Sequence, residues 1–74
     1  MSRLIRLDQT GHTMLAQWSA GDVASADAAQ AALRDQLELG YFAVASHPDG
    51  VAEQVRELPV DAELVILRRP IAGG

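Results

Sequence analysis

A single stretch, Ala26 to Leu39, carries helical periodicity, and it limits what the rest of the chain can build. The segment is rich in alanine, leucine and glutamine, all good helix formers. Ala29, Leu33 and Leu37, flanked by Ala26 and Ala32, recur at three- and four-residue spacing and make one apolar stripe. Ser25 has the chemistry of an N-cap with Asp27 in the first turn, and Gly40 stands where a left-handed C-cap is expected. A lone helix of this kind needs a sheet on which to bury its stripe.

The flanking segments supply the strands. Leu4 to Asp8 and Thr13 to Trp18 surround Gln9-Thr10-Gly11-His12, a stretch with turn chemistry, and read as a β-hairpin. Gly21-Asp22 separates the hairpin from the helix. After Gly40, residues 41–46 are aromatic and β-branched enough for a strand. His47-Pro48-Asp49-Gly50 is a turn, and Glu53 to Leu58 carries the charges of an edge strand that Pro59 ends. Glu63 to Arg68 is a continuous apolar run with charged ends, the pattern of a central strand. The order is β-β-α-β-β-β. Pairing the last strand with the first and laying the helix across one face leaves the other face open. Strand side chains alternate, so if Leu64 and Ile66 meet the helix, Val65 and Leu67 point away. On that assignment Leu4, Val65 and Leu67 form an exposed apolar patch for a partner.

Composition removes several function classes. A chain of 74 residues makes one small domain, and a domain near that size buries only about 60% of its unfolded surface, leaving no room for a deep active site. An enzyme acting alone is not expected. Half the residues are apolar (49%) and 22% are charged, which separates the chain from disordered sequences. No apolar run reaches the length of a membrane span, and Arg3 and Arg6 interrupt the short apolar stretch that a signal peptide would need. With no cysteine there is neither a disulfide nor a thiolate site, as suits a reducing compartment, and the expected location is cytoplasmic. A formal charge of −4 argues against nucleic acid. All six basic residues, Arg3, Arg6, Arg34, Arg56, Arg68 and Arg69, are arginine, so there is no side-chain amine.

Chemistry-bearing side chains are sparse. His12 and His47 fall in turns, where a histidine is ordinarily a solvated or hydrogen-bonding residue. Ser19, Ser25 and Ser46 lack a nucleophile context. His12, His47 and Asp49 match no metal-ligand spacing, and the glycines are isolated turn residues rather than a phosphate loop, so no metal and no bound cofactor are expected. Trp18, the only tryptophan, reads as a core-edge residue that packs the hairpin onto the helix. The end of the chain stands out instead. Arg68-Arg69-Pro70-Ile71-Ala72-Gly73-Gly74 begins with a proline-terminated strand and closes on two residues without Cβ. Such an end is slim and flexible enough to thread a narrow channel and present a carboxylate. The natural division is a domain over residues 1–69 and a flexible tail over 70–74.

A β-β-α-β-β-β order of this length, closing on an apolar strand, arginines and Gly-Gly, resembles the ubiquitin-like β-grasp proteins. The stretch Asp61 to Gly74 is also similar to the ends of the sulfur carriers, namely the small subunit of molybdopterin synthase and the thiamine sulfur carrier. The resemblance implies an α+β fold, a mixed five-stranded sheet with one helix across one face. It implies that Gly74 supplies a carboxylate adenylated by a partner enzyme at the expense of ATP. Gly73 and Ala72 would form the slim approach to it, and Arg68 and Arg69 would contact the activating enzyme. The hairpin, with Trp18 and the Gln9 to His12 turn, departs from the N-terminal half of the sulfur carriers, and Pro70 departs from the tail of ubiquitin.

Three functions follow as expectations. The first is a protein modifier conjugated to target amines, served by conjugating and deconjugating enzymes; the second is a sulfur carrier bearing a terminal thiocarboxylate for a biosynthetic acceptor; the third is a β-grasp interaction module that is never activated. Without cysteine, any thioester must use a partner's sulfur. Without lysine, copies can be joined to one another only through the α-amine of Met1, or of Ser2 if Met1 is removed.

Overall fold

The two segments before the helix close into a hairpin in the structure, a computed structural model that describes residues 1–9 and 11–69. Strands β1 (Ser2–Asp8) and β2 (Gly11–Trp18) pair antiparallel from Ser2↔Trp18 to Asp8↔Gly11, so both extend beyond the limits expected from their apolar residues. The register shifts between Leu4, opposite Ala16, and Ile5, opposite Met14. Leu15 is the extra residue of this bulge, and it packs against the core beside Ala16.

Helix α1 runs over Val23–Glu38 and starts earlier than the sequence signals predict. Asp22, not Ser25, is its N-cap: the backbone there is extended (φ −111°, ψ 98°), and the Asp22 carboxylate accepts the Ser25 N–H at 3.3 Å. Ser25 Oγ donates to the Asp22 carbonyl and accepts the Ser19 N–H, tying the helix start to the end of the hairpin. The other end follows expectation. Gly40 has φ +100°, its N–H reaches the Leu37 carbonyl, and the Tyr41 N–H reaches that of Gln36, the paired bonds of a Schellman motif.

Strands β3 (Phe42–Ser46) and β4 (Ala52–Val55) form a second antiparallel hairpin, and β5 (Leu64–Arg68) completes the sheet. Strand order across it is β2-β1-β5-β3-β4, so the order along the chain does not carry over to the sheet, although the last strand does pair with the first as expected. β5 inserts between the two hairpins, parallel to β1 and antiparallel to β3. β4 is indeed an edge but shorter than expected. Beyond it Leu58 turns back into the core, with its N–H donated to Gln30 Oε1 at 2.7 Å, so this stretch serves the helix side rather than the ladder.

One face of the sheet carries the core. Leu4, Trp18, Ala43, Ala45, Leu58, Ala62, Val65 and Leu67 bury themselves with Ala29 and Leu33 of the helix, and Ala26, Ala32 and Leu37 of the expected stripe pack around them. Trp18 is fully buried and donates its indole N–H to the Val60 carbonyl at 3.1 Å, satisfying the one polar group of its ring. The chain is thus an α+β fold of one helix on a mixed five-stranded sheet.

Candidate functional site

The expected partner patch is inverted. Leu4, Val65 and Leu67 are each 0% exposed and face the helix, so they are core. The register explains why: Leu4 lies opposite Val65 and Val65 opposite Ala45, a row of covered side chains. The open face therefore belongs to the other alternating set. Ile5, Ile66 and Val44 are register partners across β1, β5 and β3, all half-buried, with Met14 of β2 beside Ile5 at 52% exposure. Leu64 and Phe42 lie on the same face above and below Ile66 and Val44. A signal for this was present in residues 42–45, where bulky Phe42 and Val44 alternate with Ala43 and Ala45: a helix rich in alanine takes the small side chains beneath it.

Arg68 and Arg69 stand at the end of the sheet where β5 finishes. That end also gathers Arg6 and Asp8 of β1 and Tyr41, the residue that closes the helix. Arg6 lies on the helix face, two residues after Leu4. Its Nη1 donates to Gln36 Oε1 at 3.4 Å, its Nε is 3.7 Å from Asp8 Oδ2, and its guanidinium is 5.8 Å from the Tyr41 ring centroid. The Arg6 Nε is buried with no hydrogen-bond partner among the described residues. Arg69 places its guanidinium 5.4 Å from the same ring. Both distances suit cation–π attraction, which acts within roughly 6 Å of the centroid. Beside the ring lies an open cleft of about 440 Å³ lined by Leu7, Asp8, Gln9, Tyr41 and Arg69. The remaining residues of the expected activation tail, Ala72, Gly73 and Gly74, lie outside the described residues. Sequence reasoning missed Arg6 and Tyr41, because neither belongs to a motif and only the sheet end brings them together.

The histidines have other surroundings. His12 is an exposed member of β2 rather than a turn residue. His47 Nε2 is 3.0 Å from Glu53 Oε1, a contact across the β3–β4 hairpin. No group of three or more metal-binding side chains occurs among the described residues, and none of their helices is long and apolar enough to cross a membrane. Compared with known proteins, the chain matches no family model, no curated protein and no solved structure.

Proposed function

We propose that this chain is a ubiquitin-like β-grasp protein modifier whose Gly74 carboxylate is activated by a partner enzyme and joined to target amines. The observation that supports the reading is the placement of β5. The last strand lies in the middle of the sheet, parallel to the first, with a single helix across one face. Arg68 and Arg69 then lead from the sheet's centre into Pro70-Ile71-Ala72-Gly73-Gly74. A rigid platform carrying a slim appendage suits a protein that is handled by its end rather than through a pocket.

The chemistry belongs to the partners. The Gly74 carboxylate attacks the α-phosphorus of ATP and expels pyrophosphate, giving an acyl adenylate. A partner cysteine thiolate displaces AMP, and a target amine then displaces the thiol to leave an amide. This chain contributes the carboxylate, the approach through Ala72 and Gly73, and contact surfaces at Arg68 and Arg69. It has no lysine, so a lysine-linked chain of copies is impossible.

Intact-mass measurement on protein taken from its native cells tests the proposal, together with a search for target lysines acylated by Gly74 and carrying the remnant Arg69-Pro70-Ile71-Ala72-Gly73-Gly74 that cleavage after Arg68 leaves. Conjugates joined through Gly74 are expected, and removal of Gly73 and Gly74 should abolish them. Replacement of one terminal oxygen by sulfur would instead make the chain a sulfur carrier. An unmodified chain in a stable complex, indifferent to loss of Gly73 and Gly74, would make it an interaction module.

A further inference from the structure

We propose that Tyr41 is a positioning residue that holds the guanidinium of Arg69 over its ring, so that Arg69, itself exposed, also anchors the base of the tail, while Arg68 points outward from the open face of the sheet. Alternation along β5 puts Val65 and Leu67 on the helix face, where both are fully buried. Arg68 consequently falls on the open face, exposed, with Phe42 as its register partner. One residue further on, Arg69 returns to the helix side and meets the Tyr41 ring at 5.4 Å.

Tyr41 is suited to the task because it is itself held. Its N–H is bonded to the Gln36 carbonyl, which ties its backbone to the last turn of the helix. Its side chain is half-buried and packs against the core cluster. The second guanidinium near the ring, that of Arg6, is tethered by Gln36 and lies beside the Asp8 carboxylate, whose negative charge offsets the repulsion between two cations sharing one ring. Helix end, β1 and the residue after β5 are thereby joined through one aromatic side chain. Without it, the ladder would hold the chain only as far as Arg68, the last residue of β5. The value of an outward Arg68 rests on the activation proposed above; the anchoring of Arg69 does not, and would survive a finding that Gly74 is never activated.

Backbone amide hydrogen exchange and ¹⁵N relaxation on the full chain test this directly. In the wild-type protein the Arg69 amide should be as ordered as those of β5. Tyr41→Leu, which removes the ring face, should speed exchange at residue 69 by about two- to fivefold, the range expected for loss of one partly exposed cation–π contact. Tyr41→Phe keeps the ring and should keep wild-type order, which a hydroxyl-dependent role would not. Arg68→Gln should leave residue 69 unchanged. The proposal fails if folded Tyr41→Leu leaves Arg69 as ordered as before, if Tyr41→Phe loosens it equally, or if Arg68→Gln does so. Should Tyr41→Leu not fold, Arg69→Gln at its exposed position serves instead: loss of order at residue 69 supports the anchor, and unchanged order overturns it.

Discussion

Two alanines in the third strand carry more of the architecture than their size suggests. Ala43 and Ala45 are fully buried in the cluster to which the helix contributes Ala29 and Leu33, so alanines line both the sheet side and the helix side of the core. The bulkier Phe42 and Val44 are left on the open face. The same alternation in β5 separates Leu67, at 0% exposure, from half-buried Ile66. Leu67→Ala should therefore cost about 2–5 kcal/mol in urea denaturation, as core truncations do. Ile66→Ala, next to it but on the open face, should cost less than half as much. Equal costs would mean that the open face is covered by something. At this scale the sequence was only partly legible: Trp18 was assigned its packing role correctly, whereas Leu4, Val65 and Leu67 were placed on the wrong face. The run Leu64-Val65-Ile66-Leu67 is apolar at every position, so hydrophobicity within the strand holds no information about which set is buried.

Elements were read more securely than residues. The helix, both hairpins and the last strand are found where period, β-branching and turn residues indicated, with the largest shifts at the end of the fourth strand and at the helix start. There, two capping residues compete, and Asp22 prevails because Ser25 spends its hydroxyl on the Asp22 carbonyl and the Ser19 N–H. Asp22→Ala should lower stability by about 1 kcal/mol, the usual cost of an N-cap. Gly40→Ala should cost at least about 1 kcal/mol for a different reason: φ +100° is disfavoured for any residue with a Cβ, although nothing lies within 4 Å to obstruct one. Urea denaturation of the two variants, compared with Gly21→Ala, which has no positive φ and equal space, separates backbone strain from crowding. The fourth strand was expected to be longer because Arg56-Glu57-Leu58 continues its character. Leu58 is pulled instead into the core, with its N–H given to Gln30, and burial outweighs continued pairing along the edge.

Across the whole molecule, stability should be graded outward from β5. That strand is paired on both sides, its alternate residues are buried, and its neighbours β1 and β3 each bridge to an outer strand. β4 is short, at an edge, and exposed along most of its length. Native-state hydrogen exchange should therefore show the slowest amides in β1 and β5 and the fastest strand amides in β4, since opening energies follow local burial and pairing. Slow exchange in β4 would reveal a covered edge. Under the proposed function, the same arrangement makes the middle of the sheet the base to which the Gly-Gly end is joined.

What the sequence determined by itself was local: one helix, five short strands and their turns, all consequences of side-chain period, branching and the freedom of glycine. The scarcity of catalytic side chains and the absence of cysteine and lysine were equally a matter of counting. Tertiary structure alone decided which face of each strand is covered, because that choice depends on the register of β5 against β1 and β3 and on where the helix lands. It alone brought Tyr41 to Arg69 and Arg6, residues far apart in sequence that meet because parallel β1 and β5 finish at the end of the sheet where the helix closes. Long-range pairing is a property of no single segment, and the candidate site is built from it.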